Sequence, residues 1–320
     1  MSIRVSDQEM SPAPAAIPAA QPFVPGLVSV VMPCFNDGKY IAESVASLQA
    51  QTWNQIELIV VDDGSNDPET LKALRELDFP GFTLLNTKRR GPSGARNEAL
   101  HVARGEFVLP LDSDDTIDPT YIEKAVSVMM ARPEVGVVYC RADLFGEKSG
   151  PWDLPEYSLK AELLDNIIFV TSLFRRDDAL AIGGFCETFK AGMEDYDFFL
   201  GLLQLGREVV QLQETLFHYR IKSVSRSTAF NSDYKAVQET YAMLYDRHKP
   251  LFERYQDLYC KELRYVLIDH IYQVRKFSEM MEDPLVKYVA SVRLLKPAKA
   301  RRWDRLLRIK DAIKKLIGRE

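Results

Sequence analysis

Residues 27–36, LVSVVMPCFN, and residues 56–65, IELIVVDDGS, decide the fold. The first run is apolar from Leu27 to Met32 apart from Ser29, and the second from Ile56 to Val61 apart from Glu57. Strands with so little polar interruption are covered on both faces instead of alternating between core and solvent. Between them Ile41, Val45 and Leu48 recur at helical spacing, with Ala42 and Ala46 beside them. Strand, helix and strand within about 35 residues predict a right-handed βαβ unit with parallel strands.

The alternation continues outward from this unit. Helices are expected at Pro68–Leu77, from near Ser93, and at Pro119–Ala131, and strands at Phe82–Asn86, Glu106–Leu111 and Val135–Cys140. The order predicts a Rossmann-like, doubly wound, mainly parallel sheet flanked by helices, which binds ligands outside the carboxyl ends of its strands. Those ends carry Pro33-Cys34-Phe35-Asn36-Asp37, Asp62-Asp63-Gly64-Ser65 and Asp112-Ser113-Asp114-Asp115. Beyond Arg141 the pattern loosens into a Gly/Pro-rich link at Gly146–Pro155, an apolar helix-like stretch around Leu163–Val170, a tight turn at Gly183-Gly184 and a helix from about Glu194. After Asn231 the chain reads as Tyr-rich helices broken at Pro250, Pro284 and Pro297. Three regions follow: an Ala- and Pro-rich disordered leader over residues 1–26, an α/β domain over 27–230, and a helical extension over 231–320.

Composition excludes several classes. Four scattered cysteines, without C-x-x-C spacing, fit reduced thiols in a cytoplasmic protein better than a disulfide framework. No signal-like segment and no apolar run long enough to span a bilayer is evident, which places the expected work on the cytosolic side. Residues 285–320 carry twelve Lys and Arg against three acids, while the preceding 284 residues carry 29 basic and 43 acidic residues. An acidic body argues against nucleic acid as a partner. The basic tail, with Trp303, Leu306, Leu307, Ile309, Ile313, Leu316 and Ile317 among its charges, reads equally as an amphipathic helix on an anionic membrane or as a helix docked on protein.

The acids of LPLDSDDTID, residues 109–118, repel one another unless a cation or strong donor shares their site. Oxygen ligands of this kind suit Mg²⁺ or Mn²⁺ held jointly with substrate phosphates. Alone they could equally be a solvated acidic loop. The ordered set VSVVMPCFN, IELIVVDDGSND, GPSGARNEAL, GEFVLPLDSDD, GGF and GMEDYDFFL resembles the family 2 glycosyltransferases over about Leu27 to Arg226. The resemblance implies the GT-A fold and inverting transfer from a nucleotide-diphosphate sugar, with a divalent metal, Mn²⁺ or Mg²⁺, as cofactor.

Residue by residue, the resemblance implies Asp114 as metal ligand and Asp112 as a contact to ribose or a metal-bound water. It gives Asp63 the nucleotide base, commonly uracil, and puts Arg96 near the nucleotide. It also implies Asp195 as the general base, with Glu194 orienting the acceptor or tuning its neighbour. Phe35 stands where the family often has Tyr; it is placed to stack on the base or to pack in the core. Pro33 and Asn36 belong to the same strand end. For Asp63 a helix-capping role is an alternative, with Asn66 or Asp67 also able to cap. For Arg96 the alternative is a surface ion pair, and for Glu194-Asp195 it is charge complementarity at a helix N-terminus. Asp115 and Asp118 read as serving the following turn and helix. Arg220 or Lys222 is a candidate diphosphate clamp, and His218 is either a second metal ligand or a structural residue at a strand end.

The expected function is transfer of a sugar, from UDP in the first instance, to a hydroxyl of a saccharide or lipid-linked saccharide acceptor in surface polysaccharide or glycolipid synthesis. The rival readings are a nucleotide-sugar-binding protein without turnover and a nucleotidyltransferase. The latter would call for a basic, Gly-rich triphosphate loop where this chain has Pro33-Cys34-Phe35-Asn36.

Overall fold

The computed structural model describes residues 22–190, 192–223, 230 and 233–282; the basic tail, the leader up to residue 21, Ser225 and Arg226 lie outside them. The chain divides into two compact units, Met1–Gln256 and Asp257–Glu320. The first contains one mixed sheet. Its first half is β1 (Val24–Cys34), β2 (Ile56–Asp62), β3 (Phe82–Asn86) and β4 (Gly105–Pro110), joined by α1 (Gly38–Gln49), α2 (Pro68–Glu76) and α3 (Gly91–Val102). These four strands lie in the order β3-β2-β1-β4, all parallel, as the alternation predicts. Val28, Val30, Met32, Leu58, Val60 and Val61 are fully buried, which is why both strands are apolar on both faces.

The second half departs from the expected order. After β5 (Thr116–Ile117) and α4 (Tyr121–Ala131), strand β6 (Val135–Gly146) does not pair with β4. A short strand, β8 (Leu173–Arg175), stands between them and runs antiparallel to both. β6 is longer than predicted and pairs antiparallel with β7 (Gly150–Pro151), so the expected link at residues 146–155 begins with a hairpin and continues as irregular backbone. Strand β9 (Glu208–Ile221) pairs parallel with β6 over its whole length and antiparallel with β5 near its end.

The helix expected at Leu163–Val170 is absent. Helix α5 (Leu159–Glu162) ends before it, and the following residues run as irregular backbone. Ile167, Ile168 and Phe169 are nonetheless buried, so the apolar run is core lining without a helical period. Periodicity alone cannot separate these cases. Two helices follow in the first unit, α6 (Arg176–Ala181) and α7 (Glu194–Gln204), and beyond β9 come α8 (Tyr234–Arg247) and α9 (Lys249–Arg254). The break expected at Pro250 falls at His248, because proline is accepted in the first turn of α9, where its missing N–H costs nothing. The described part of the second unit is α10 (Gln256–Glu282), along which Tyr265, Val266, Leu267, Ile268 and Tyr272 are exposed.

Candidate active site

The cleft is bounded by the loops after β1, β2 and β4 and by the N-terminal ends of α3 and α7. Three residues other than glycine adopt left-handed backbone among the described residues: Asn36 (φ 54°), Arg89 (φ 55°) and Met193 (φ 69°). Asn36 sits in the loop after β1, Arg89 in the loop leading into α3 and Met193 in the loop leading into α7. Such conformations cost roughly 1–3 kcal/mol and persist only where surrounding contacts impose them.

On the side of β1 and β2 Asn36 ties two strand ends together. Its side-chain oxygen accepts from the N–H of Asn66 (3.0 Å) and Asp67 (3.1 Å), and its amide donates to Asn66 Oδ1 (2.9 Å). Asp67 caps α2 by accepting from Thr70 N–H at 2.8 Å, so Asp63 is not needed there. Asp63 instead braces the entry to α3. It accepts from Thr87 Oγ1 (2.6 Å) and from the N–H of Arg90 (2.7 Å) and Gly91 (2.8 Å), placing a carboxylate at the positive end of that helix. Gly64 turns the chain beside it with φ 78°. Phe35 is half-buried, outside the core, and the Arg89 guanidinium lies 3.5 Å from its ring centre. Pro33 lies in β1 one residue before Cys34, paired in register with Val61.

Arg96 is 2% exposed, so it is no surface ion pair. Its Nη2 donates to Asp112 Oδ1 at 2.6 Å and its Nη1 to Glu194 Oε1 at 3.2 Å. Burial alone would push this guanidinium down, but Asp112, Glu194 and Asp195 outweigh it and hold its pKa above the ordinary value. One buried cation thus joins the acidic turn after β4 to the helix carrying the candidate base.

The four acids of the turn are not equivalent. Asp118 Oδ1 accepts from Thr120 N–H (3.0 Å) and serves the start of α4. Asp115, 1% exposed, accepts from Arg220 N–H at 2.8 Å and so pins β9 to the turn. Its carboxyl is raised well above the usual range by burial and then by Asp114 and Asp112. Asp114 is raised by burial and by Asp112, an effect opposed by Lys222. Lys222 Nζ lies 2.8 Å from Asp114 Oδ2 and 2.9 Å from Asp37 Oδ1, a bridge that the motif pattern alone does not reveal. Arg220 does not perform that service. Its Nε donates to Asp114 O (2.7 Å), its Nη2 to Glu43, and its charge lies over the rings of Phe145 (4.1 Å) and Tyr40 (4.6 Å). His218 Nδ1 is 2.6 Å from Asp143 Oδ1, across the β6–β9 pair.

On the α7 side the loop before the helix ends in Gly192 (φ 151°) and Met193, after which Glu194 and Asp195 open the helix. Gly184 is required nearby: a Cβ there would meet Asn97 Oδ1 at 2.5 Å. Asn97 pins the turn by exchanging hydrogen bonds with Phe185 N–H and C=O, both at 2.8 Å. Asp195 is partly exposed at the cleft, yet its surroundings push its pKa up to about 6, through burial first and Glu194 second, against Arg96, an Asn166 hydrogen bond and the Tyr196 N–H. A carboxyl poised there can take a proton near neutral pH. Beside it Glu162 is fully buried and raised well above the usual range, chiefly by burial. Among the described residues no group of three or more His, Cys, Asp or Glu side chains could hold a metal ion on its own.

The model of glycosyl transferase family 2 matches residues 29–196, more than half of the chain. The protein belongs to that family. Among its relatives is the O-antigen biosynthesis protein RfbC of Myxococcus xanthus, 28% identical over 240 residues, covering 70% of this chain and 19% of RfbC. The UDP-Glc:alpha-D-GlcNAc-diphosphoundecaprenol beta-1,3-glucosyltransferase WfgD of Escherichia coli is 34% identical over 142 residues, covering 44% of this chain and 56% of WfgD. The chain therefore spans less than two thirds of the length of either. Among solved structures, S. aureus TarS 1-349 in complex with UDP superposes with a TM-score of 0.52 at 26% identity over 61% of each chain. The family member has the GT-A-like fold that the motif order implied, a curled, mainly parallel sheet flanked by helices. No described helix is long and apolar enough to cross a membrane.

Proposed function

We propose that this family 2 member is an inverting, divalent-metal-dependent glycosyltransferase that moves a sugar from a UDP-sugar to a hydroxyl of a saccharide or lipid-linked saccharide, in polysaccharide or glycolipid synthesis. The observation that carries this reading is the Arg96 bridge, which couples Asp112 of the nucleotide wall to Glu194, next to a base with a pKa of about 6. Relatives named for O-antigen synthesis and glucosyl transfer from UDP-Glc support the substrate class, and a UDP-bound neighbour supports the nucleotide.

Asp195 accepts the proton of the acceptor hydroxyl while that oxygen attacks the anomeric carbon of the donor. The bond from that carbon to the diphosphate oxygen breaks, and UDP leaves with the electron pair. A single displacement inverts the anomeric centre and calls for no second nucleophilic carboxylate. Arg96 holds Glu194 in place, and the field of Glu194 raises Asp195. Asp63 and Asn36 fix the loops around the nucleotide, and Phe35 offers a ring at the strand end with the Arg89 guanidinium over it. The residues fit a hard cation. Asp114 and Asp37 converge on one ammonium, and Asp114 is raised by burial first and by Asp112 second, so a positive charge beside it is favoured. Mn²⁺ or Mg²⁺ on Asp114, with Asp37 and Asp112 close by, would neutralise the leaving diphosphate. The basic tail is the segment through which we place contact with an anionic membrane, the location of a lipid-linked acceptor.

The test is a panel of UDP-, GDP- and dTDP-sugars with Mn²⁺ or Mg²⁺ and a saccharide acceptor, scored by nucleotide release with and without EDTA. UDP release that requires metal and disappears in Asp195→Asn, with UDP binding retained, is expected. Metal-independent turnover surviving Asp114→Ala refutes the mechanism, and binding without release identifies a nucleotide-sugar-binding protein.

A further inference from the structure

Asp195 lies at the last matched residues of the family, yet its helix is gripped from beyond them. Asp197, two residues on, is 2% exposed. Its Oδ1 is 2.7 Å from Arg247 Nε and 2.8 Å from His248 Nε2. On the other side of the imidazole, Gln204 Nε2 lies 2.8 Å from His248 Nδ1. With the glutamine amide donating, Nδ1 accepts, and the proton on Nε2 is given to Asp197. The neutral ring thereby joins the first turn of α7 to its last residue.

His248 is itself fixed by two helices. Its N–H donates to Leu244 O (3.0 Å) at the end of α8, and its C=O accepts from Leu251 N–H (2.9 Å) at the start of α9. It is 3% exposed, so water cannot replace either side-chain bond without rearrangement. A second grip reaches the loop on the far side of the base. The Tyr241 hydroxyl of α8 donates to Asp165 Oδ1, the neighbour of Asn166, which hydrogen-bonds Asp195. The Tyr241 ring also lies 6.2 Å from that of Tyr196, whose hydroxyl donates to Glu162 O at 2.6 Å.

We propose that His248 and Tyr241 are positioning residues: the segment Tyr234–Arg254 braces both the first turn of α7 and the loop at Asp165–Asn166, holding Asp195 where it meets the acceptor hydroxyl. The inference rests on Asp195 being the base. Removal of the imidazole leaves the Asp197 carboxylate to Arg247, whose side chain is 47% exposed. A displacement of about 1 Å at the reacting group costs on the order of a hundredfold in rate. The proposed donor contacts lie on the loops after β1, β2 and β4, apart from the two places that this segment braces directly.

The experiment uses the full chain and compares His248→Ala, His248→Gln and Asp195→Asn. Readouts are nucleotide release from the UDP-sugar selected above, UDP affinity by calorimetry with Mn²⁺, and hydrogen exchange of peptides covering residues 162–167 and 193–198. His248→Ala is expected to lower kcat by about a hundredfold with KM for donor and UDP affinity unchanged, and to speed exchange in both peptides. His248→Gln keeps an N–H donor for Asp197 and should restore most of the rate and the slow exchange. Unchanged exchange in His248→Ala overturns the proposal even where turnover cannot be scored, and so does wild-type kcat in that variant while Asp195→Asn is dead. An equal loss of UDP binding, not restored by His248→Gln, also overturns it, since that marks a general fold defect. Retained transfer in Asp195→Asn is a separate failure, that of the base assignment.

Discussion

Replacing Arg96 with methionine keeps the stem and removes the charge. In the wild type the guanidinium is shared by Asp112 and Glu194, which are 32% and 3% exposed. Asp112 can recover hydration, but Glu194 is buried and cannot, so the cost is set by the loss of the Arg96–Glu194 pair. Breaking one side of a buried pair costs about 3–5 kcal/mol, and the partial exposure of Asp112 puts Arg96→Met at about 3 kcal/mol. Urea unfolding at neutral pH should show that loss. The loss should shrink as pH falls toward 4. A carboxyl whose folded-state pKa is raised destabilises the fold while ionised, and stops doing so once protonated in both states. Glu194→Gln in the Arg96→Met background should recover part of the stability for the same reason. The pH–rate profile supplies an independent check. Arg96 is among the groups holding Asp195 down, so the acid limb of the variant should lie above the wild-type value of about 6. A stability loss under about 1 kcal/mol, the scale of an exposed ion pair, together with an unmoved acid limb, would refute the role given to the bridge.

Other expectations follow from the same geometry. In the wild type, turnover should rise with pH through about 6, because the base acts only when ionised; a rate flat from pH 5 to 8 would exclude Asp195 as the titrating group. Lys222→Met removes the ammonium that bridges Asp37 and Asp114, so Mn²⁺ affinity measured without nucleotide should rise by about tenfold, or about 1.4 kcal/mol. Unchanged affinity by calorimetry would mean that the lysine and the cation occupy different places.

The first half of the sheet was legible in the sequence because β1 and β2 are apolar on both faces and every connection from β1 to β4 is a helix. The acidic strand ends followed directly, since the loops after parallel strands must emerge on one rim. The second half was harder for identifiable reasons. Leu173–Arg175 is too short to announce itself as a strand, and the buried run before it has no period that separates a helix from core-lining loop. Only the end of β9 was recognised, at His218. Asp63 and Arg96 were found as residues, but their partners were not: a carboxylate at the start of α3 and a guanidinium between two acids are pairings across 27 and 98 positions. The Lys222 bridge to Asp37 spans 185 positions. Such pairs depend on chain crossings that local pattern does not encode.

The Arg96 bridge also has a consequence for the order in which the chain can mature. Strands β1 to β4 and their helices make mostly neighbouring contacts, and that half is complete by Pro110. Arg96 belongs to it, but Glu194 arrives only after β8 has returned to pair with β4. Until then a guanidinium destined for the interior has only one of its two partners. A nascent or truncated chain that stops short of α7 would hold Arg96 against Asp112 alone, so the second half of the sheet completes the partnering of a residue that belongs to the first.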